Sequence, residues 1–132
     1  LCWWLNFLLF KVDLDYRSRM LGGIYMPHPM GIVIGEYARS SKESRLKIMQ
    51  GVTIGGDLGR TRSESGLTMH QPYFEGVAFL GVNSIVVGPI VQKGVVFVSA
   101  NSLVNCDLES GLYFGVNRKK ELCDRHLREL RQ

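Results

Sequence analysis

With 132 residues, 45% of them hydrophobic, the chain has the material for one globular core and none to spare for a second domain. Its formal charge of +4, from 16 basic and 12 acidic side chains, mildly favours anionic ligands, and the excess gathers near the C-terminus at Arg118, Lys119, Lys120, Arg125, Arg128 and Arg131. Cys2, Cys106 and Cys123 form no CxxC pair and have no His at metal-ligand spacing. That excludes a disulfide framework and a zinc site, favours a reducing cytoplasm, and reads each Cys as a buried structural thiol; no metal is expected.

The first ten residues are apolar almost all round, from Leu1 to Phe10, but Lys11 interrupts them well short of the ~20 residues a membrane span needs. A basic n-region and a cleavage site are missing, and the absence of an initial Met reads as a trimmed N-terminus. A buried or subunit-covered helix is expected here, with a membrane-surface helix as the alternative; the latter calls for a charged face that this segment lacks.

Short alternating stretches between turns follow, among them Val12–Tyr16 and the strand Gly31–Gly35 behind His28, which Pro27 and Pro29 hold between them. From Ile48 a six-residue apolar beat sets in: Ile48, Ile54, then Phe74, Leu80, Val86, Val98 and Val104, with small or β-branched residues keeping a second beat at Val52, Ala78, Ser84, Ile90, Val96 and Ser102. Gln92 misses the beat, and Lys42 also breaks the apolar columns. A period of six is neither helical nor simple alternation; it predicts short strands separated by tight turns and stacked as a solenoid, against the alternative of a β-sandwich. The polar run 57–72 interrupts the beat as an inserted loop, either a binding-face loop or an idle solvated one. Asn117 reads as the N-cap of a terminal helix over 117–132, with Leu122, Cys123, Leu127 and Leu130 on its apolar face. No aromatics interleave its basic residues, so nucleic-acid binding is not expected. One domain, 1–132, follows: an apolar segment 1–11, coils over 12–116 and the closing helix.

The residues His28-Pro29-Met30-Gly31-Ile32-Val33-Ile34-Gly35-Glu36 and Gln50-Gly51-Val52-Thr53-Ile54-Gly55-Gly56, joined to the six-residue beat, resemble serine O-acetyltransferases and their polysaccharide-modifying relatives, from about Val12 to about Val104. The resemblance implies an all-β, left-handed parallel β-helix, a homotrimer with active sites between neighbouring prisms, and acetyl-CoA as donor. It implies His28 as general base, Asp13 as the carboxylate that orients it, and a second His from the loop, for which His70 is the candidate. Asp15 competes with Asp13 for the same strand face, and Gln71 competes with His70. The chemistry fits these types: neutral imidazole takes a proton from an attacking hydroxyl, and a carboxylate on its other nitrogen fixes the tautomer. The unshielded backbone of Gly55-Gly56 suits pantetheine or an oxyanion; Gly81 is assigned with them to the cofactor, and Arg118 and Lys119 to its phosphates.

Two departures point away from serine. Where the serine enzymes have an Asp before the base this chain has Pro27, and where they have an Arg before the loop His it has Met69. A zwitterionic amino acid needs charged partners, so the expected acceptor is a saccharide hydroxyl, as in surface polysaccharide modification. Serine O-acetylation in cysteine biosynthesis is the alternative, and a non-catalytic trimeric scaffold a third reading. The large helical N-terminal domain of the serine enzymes is expected to be absent or cut away.

Overall fold

Residues two apart in an extended segment share a face, so a six-residue beat aims the same face inward on every side of a coil. In the computed structural model, which describes residues 2–64 and 66–129, Ile48, Ile54, Phe74, Leu80, Val86, Val98 and Val104 are all buried. So are the small partners Val52, Ala78, Ser84, Ile90, Val96 and Ser102. Leu1, Ser65, Leu130 and Arg131, used in the sequence reading, lie outside the described residues.

The chain visits three parallel sheets in rotation. The first holds Asp13–Leu14, Val33–Ile34, Thr53–Gly55, Ile85–Val87 and Leu103–Val104; the second Arg19–Met20, Arg39–Ser40, Tyr73–Phe74 and Val91–Gln92. The third holds Gly23–Tyr25, Arg45–Ile48, Val77–Leu80, Val95–Val98 and Gly111–Phe114. Each of these strands pairs in parallel with the one a coil away. A sandwich would pair antiparallel strands within two sheets, and that alternative is set aside.

Coil length is not uniform. Ile85 pairs with Leu103, eighteen residues on, which is three beats. Asp13 pairs with Val33 and Val33 with Thr53, twenty residues each. The surplus pair moves: in the first coil ten residues separate Gly23 from Val33, where later coils use eight, and that widened corner carries Pro27 and His28. In the second coil six residues separate Arg39 from Arg45, where the others use four, and that corner carries Lys42 and Glu43. In the third coil the large insertion 57–72 sits between the first and second sheets.

One corner is built identically along the stack. Lys11, Gly31, Gly51, Asn83 and Asn101, each two residues before a strand of the first sheet, all have φ between 54° and 70°. The backbone N–H of each of the last four donates to a carbonyl of the preceding coil at 2.8–3.0 Å. Gly and Asn are the residues that enter this left-handed region at least cost.

Gln92 is in register with Phe74 in the buried column of the second sheet, rather than out of line as its chemistry suggests. Its Oε1 accepts from the Gly76 N–H at 3.2 Å and its Nε2 donates to the Gly94 carbonyl at 3.1 Å, so a polar group occupies an apolar column with its hydrogen bonds made. Lys42 stands exposed at its corner and leaves the column beside it intact.

The C-terminal expectation needs correction. Asn117 caps no helix; it sits at φ 53° and its amide exchanges hydrogen bonds with Asn105. Arg118–Lys120 is a strand antiparallel to Gly111–Phe114, with the Lys119 and Lys120 ammonium groups 5.9 and 4.9 Å from the Tyr113 and Phe114 rings. Those cation–π contacts and the closed sheet edge outweigh helix propensity. Helix α2 is only Asp124–Glu129. At the other end, helix α1 (Cys2–Phe10) is not buried by this chain: Trp4 and Leu8 are 66% and 64% exposed. Among the described residues no helix is long and apolar enough to cross a membrane.

Candidate active site

His28 stands exposed on the widened corner between the third and first sheets, and its carbonyl accepts from Met30 N–H at 2.8 Å. Asp13 opens the first sheet one coil earlier and is half-buried; its Oδ1 accepts from Trp3 Nε1 at 2.9 Å, and Oδ2 has no partner among the described residues. The two share one edge of the stack, and no hydrogen bond joins them. Catalytic hydrogen bonds often form only with substrate bound, so the absence of one here does not rule out the pair. Asp15, the competitor for the role, is occupied: Arg17 binds it through the backbone N–H and guanidinium and also pairs with Glu36, holding the Asp15 carboxyl below its usual range.

The insertion carries secondary structure of its own. Arg62–Glu64 and Leu67–Met69 form an antiparallel hairpin, and Arg62 reaches Asp107 in a two-pronged contact at 2.7 and 2.8 Å. Burial raises the Asp107 pKa, but the Val91 N–H and the Arg62 guanidinium outweigh it and hold the carboxyl below the usual range. The hairpin roofs a cavity of about 490 Å³ against the second sheet. His70 and Gln71 both line it. His70 is exposed with its ring 5.6 Å from that of Tyr37, whereas Gln71 lies over Gly35 with Oε1 buried and unpartnered. His28 and Asp13 do not line this cavity.

The expected cofactor residues separate. A Cβ on Gly55 would meet nothing within 4 Å, so its outward face is open to a ligand. Gly56 lies beside the His70 carbonyl. Gly81 does not belong with them: it is buried, and a Cβ there would lie 2.7 Å from the backbone of Ala100 and Val98, so its glycine serves coil stacking. Arg118 and Lys119 are exposed on the terminal strand, Lys119 3.8 Å from Glu109. Among the described residues no three His, Cys, Asp or Glu converge as a metal site. The expectation of buried thiols also needs correction. Cys106 is half-buried, where burial and then Asp107 push its thiol pKa up, but Cys123 is exposed with Sγ 3.1 Å from His126 Nδ1. The three-residue spacing of that pair was its only sequence signal.

Over 95 residues the chain is 37% identical to the serine acetyltransferase of Haemophilus influenzae, an alignment covering 72% of this chain and 33% of that protein. A solved serine acetyltransferase in complex with CoA superposes with a TM-score of 0.69 at 25% identity, covering 86% of this chain and 44% of that one. By sequence and fold this chain is similar to serine acetyltransferases. The Neisseria gonorrhoeae serine acetyltransferase in complex with serine agrees, with a TM-score of 0.66 at 25% identity over 81% of this chain and 40% of that one. The chain spans about a third of the length of the H. influenzae serine acetyltransferase. No protein-family model matches it.

These relatives overturn the expected polysaccharide-modifying branch and its saccharide acceptor. Pro27 and Met69 supply no charge, and Asp15, Glu36 and Arg62 do not replace it. The fold commits those three to ion pairs and instead brings Arg19, Arg39 and Lys42 to the cavity from other coils.

Proposed function

We propose that the chain transfers an acetyl group from acetyl-CoA to the hydroxyl of L-serine. The observation that carries this reading is the placement of His28 and Asp13 on one edge of the stack in a chain similar to serine acetyltransferases, one of which is solved with CoA and another with serine. His28 removes the proton from the attacking hydroxyl, and Asp13, steadied by Trp3, fixes the imidazole and stabilises its cation. The hydroxyl oxygen bonds to the thioester carbonyl carbon; the C–S bond then breaks, and the proton held on His28 passes to the departing sulfur. The open backbone at Gly55 receives the thioester arm. The acetyl group passes directly from donor to acceptor, and among the described side chains no Cys stands with His28.

The left-handed winding and the homotrimer belong to the same reading. His28 lies on one flank of the first sheet, whereas His70 lies beyond the opposite flank. Copies packed first sheet to first sheet bring a His28 corner of one against the hairpin of the next, and Val33 and Ile85, outward on that sheet and each 37% exposed, suit such a contact.

The test is thiol release from acetyl-CoA with and without L-serine, alongside light scattering. Serine-dependent release by a trimer, lost in His28→Ala, is the expected result. A folded trimer that releases no thiol with L-serine overturns the acceptor, and a strict monomer at micromolar concentration overturns the shared site.

A further inference from the structure

Arg19 and Arg39 are direct partners in register on adjacent parallel strands of the second sheet, and both line the roofed cavity. Neighbouring strands lie about 4.8 Å apart, and like charges placed directly opposite across strands are destabilising. Elsewhere the chain relieves such charge: Arg17 holds Asp15, Arg60 holds Asp57 and Arg62 holds Asp107. Neither Arg19 nor Arg39 has an ion-pair partner among the described residues. The widened corner of the second coil adds a third unpaired cation, Lys42, against a single carboxylate of the lining, Glu43. One buried donor of the same lining, the Ser41 hydroxyl, makes no hydrogen bond among the described residues.

We propose that this cavity binds a small, multiply charged anion of the polyphosphate or polycarboxylate class, clamped by the paired guanidinium groups of Arg19 and Arg39 with Lys42 and the Ser41 hydroxyl. Guanidinium groups match phosphate and carboxylate oxygens two at a time, so one anion converts the repulsive cross-strand pair into a bridged one. The Leu67–Met69 strand of the hairpin covers the site and thins the water that would otherwise screen it. A volume of about 490 Å³ exceeds what a lone orthophosphate fills, which favours a larger anion with charge at more than one point. Within one chain the site stands apart from His28, and its test needs no acetyl transfer.

Thermal unfolding of the full chain, titrated with sodium pyrophosphate in one arm and sodium citrate in the other at constant ionic strength, tests it without any activity assay. A saturable rise in Tm is expected with at least one anion, and the responding arm assigns the phosphate or the carboxylate class. Arg39→Gln should raise the half-saturating concentration about tenfold or more, the loss of one charge-assisted clamp, and Arg39→Lys should restore part of the response. Without anion, Arg39→Gln should unfold no lower than the parent, because the like-charge pair is gone; Arg19→Gln provides the same comparison from the opposite strand. No saturable shift in the parent overturns the proposal, and so does a shift of equal size and midpoint in both Gln variants.

Discussion

The coil from Ile85 to Leu103 and the coils that begin at Asp13 and Val33 are made by the same rule and end differently. The later one closes in three beats and turns small or apolar side chains inward: Val86, Ile90, Val96 and Val98, with Gln92 hydrogen-bonded among them. The earlier ones each carry a surplus, and each surplus falls on a different corner: His28 on one, Lys42 and Glu43 on another, with the hairpin inserted in the coil that follows. The difference separates two jobs. Regular coils satisfy backbone groups against their neighbours and build the rod, whereas a surplus residue leaves the ladder and can aim its side chain at a ligand.

The sharpest way to break that division is His28→Ala. It should lower turnover by about two to four orders of magnitude while leaving the unfolding midpoint unchanged, measured by thiol release and urea melts on one preparation. A large loss of stability would make His28 part of the rod. Phe74→Ala, in the buried column of the second sheet, should do the opposite, costing about 3–5 kcal/mol of unfolding free energy in urea titration. Gln92→Leu tests whether the column tolerates a polar member only because it is satisfied. Removing the amide strands the Gly76 N–H, and about 1–3 kcal/mol should be lost although the new side chain is more apolar. A gain in stability would show that the apolar beat alone decides that column.

The smallest effect concerns the hairpin. The Asp107 pKa is lowered in the folded chain, so its stabilisation is full above the unfolded carboxylate pKa and is lost as pH falls through the lower folded value. Asp107→Asn should therefore lower Tm slightly at neutral pH, and the gap between variant and parent should close as pH falls below the ordinary carboxylate range. A gap that persists there points to packing rather than charge.

The stacked coils were legible because burial in a narrow rod makes apolar residues recur every six positions, and their spacing in the sequence records that directly. Gln92 was misjudged because a side chain's chemistry does not reveal the backbone groups waiting beside it. The terminal segment was misread because Leu122, Leu127 and the preceding Asn117 imitate a capped helix, whereas the contacts that decided it, Lys119 on Tyr113 and Lys120 on Phe114, come from a neighbouring strand. His28 and Asp13 could be proposed from sequence because they lie in or near a local motif. The cavity could not: Arg19 and Arg39 meet only because the first coil takes twenty residues, a register visible only once the sheets are paired. The same blindness produced the saccharide acceptor, since the charges available to a site come from coils far apart in sequence.

The Arg62–Asp107 contact has a further consequence for how the rod comes apart. A stack in which each coil touches only its neighbours can fray from an end, one coil at a time. Here a lasso thrown from the third coil is tied to the far end of the chain, 45 residues away, and Arg60 ties the same loop to the Asn105 carbonyl. Pulled from its C-terminus, the protein should first shed the strands beyond Asp107; the knot then holds, and when it slips the coils behind it release together as one force peak.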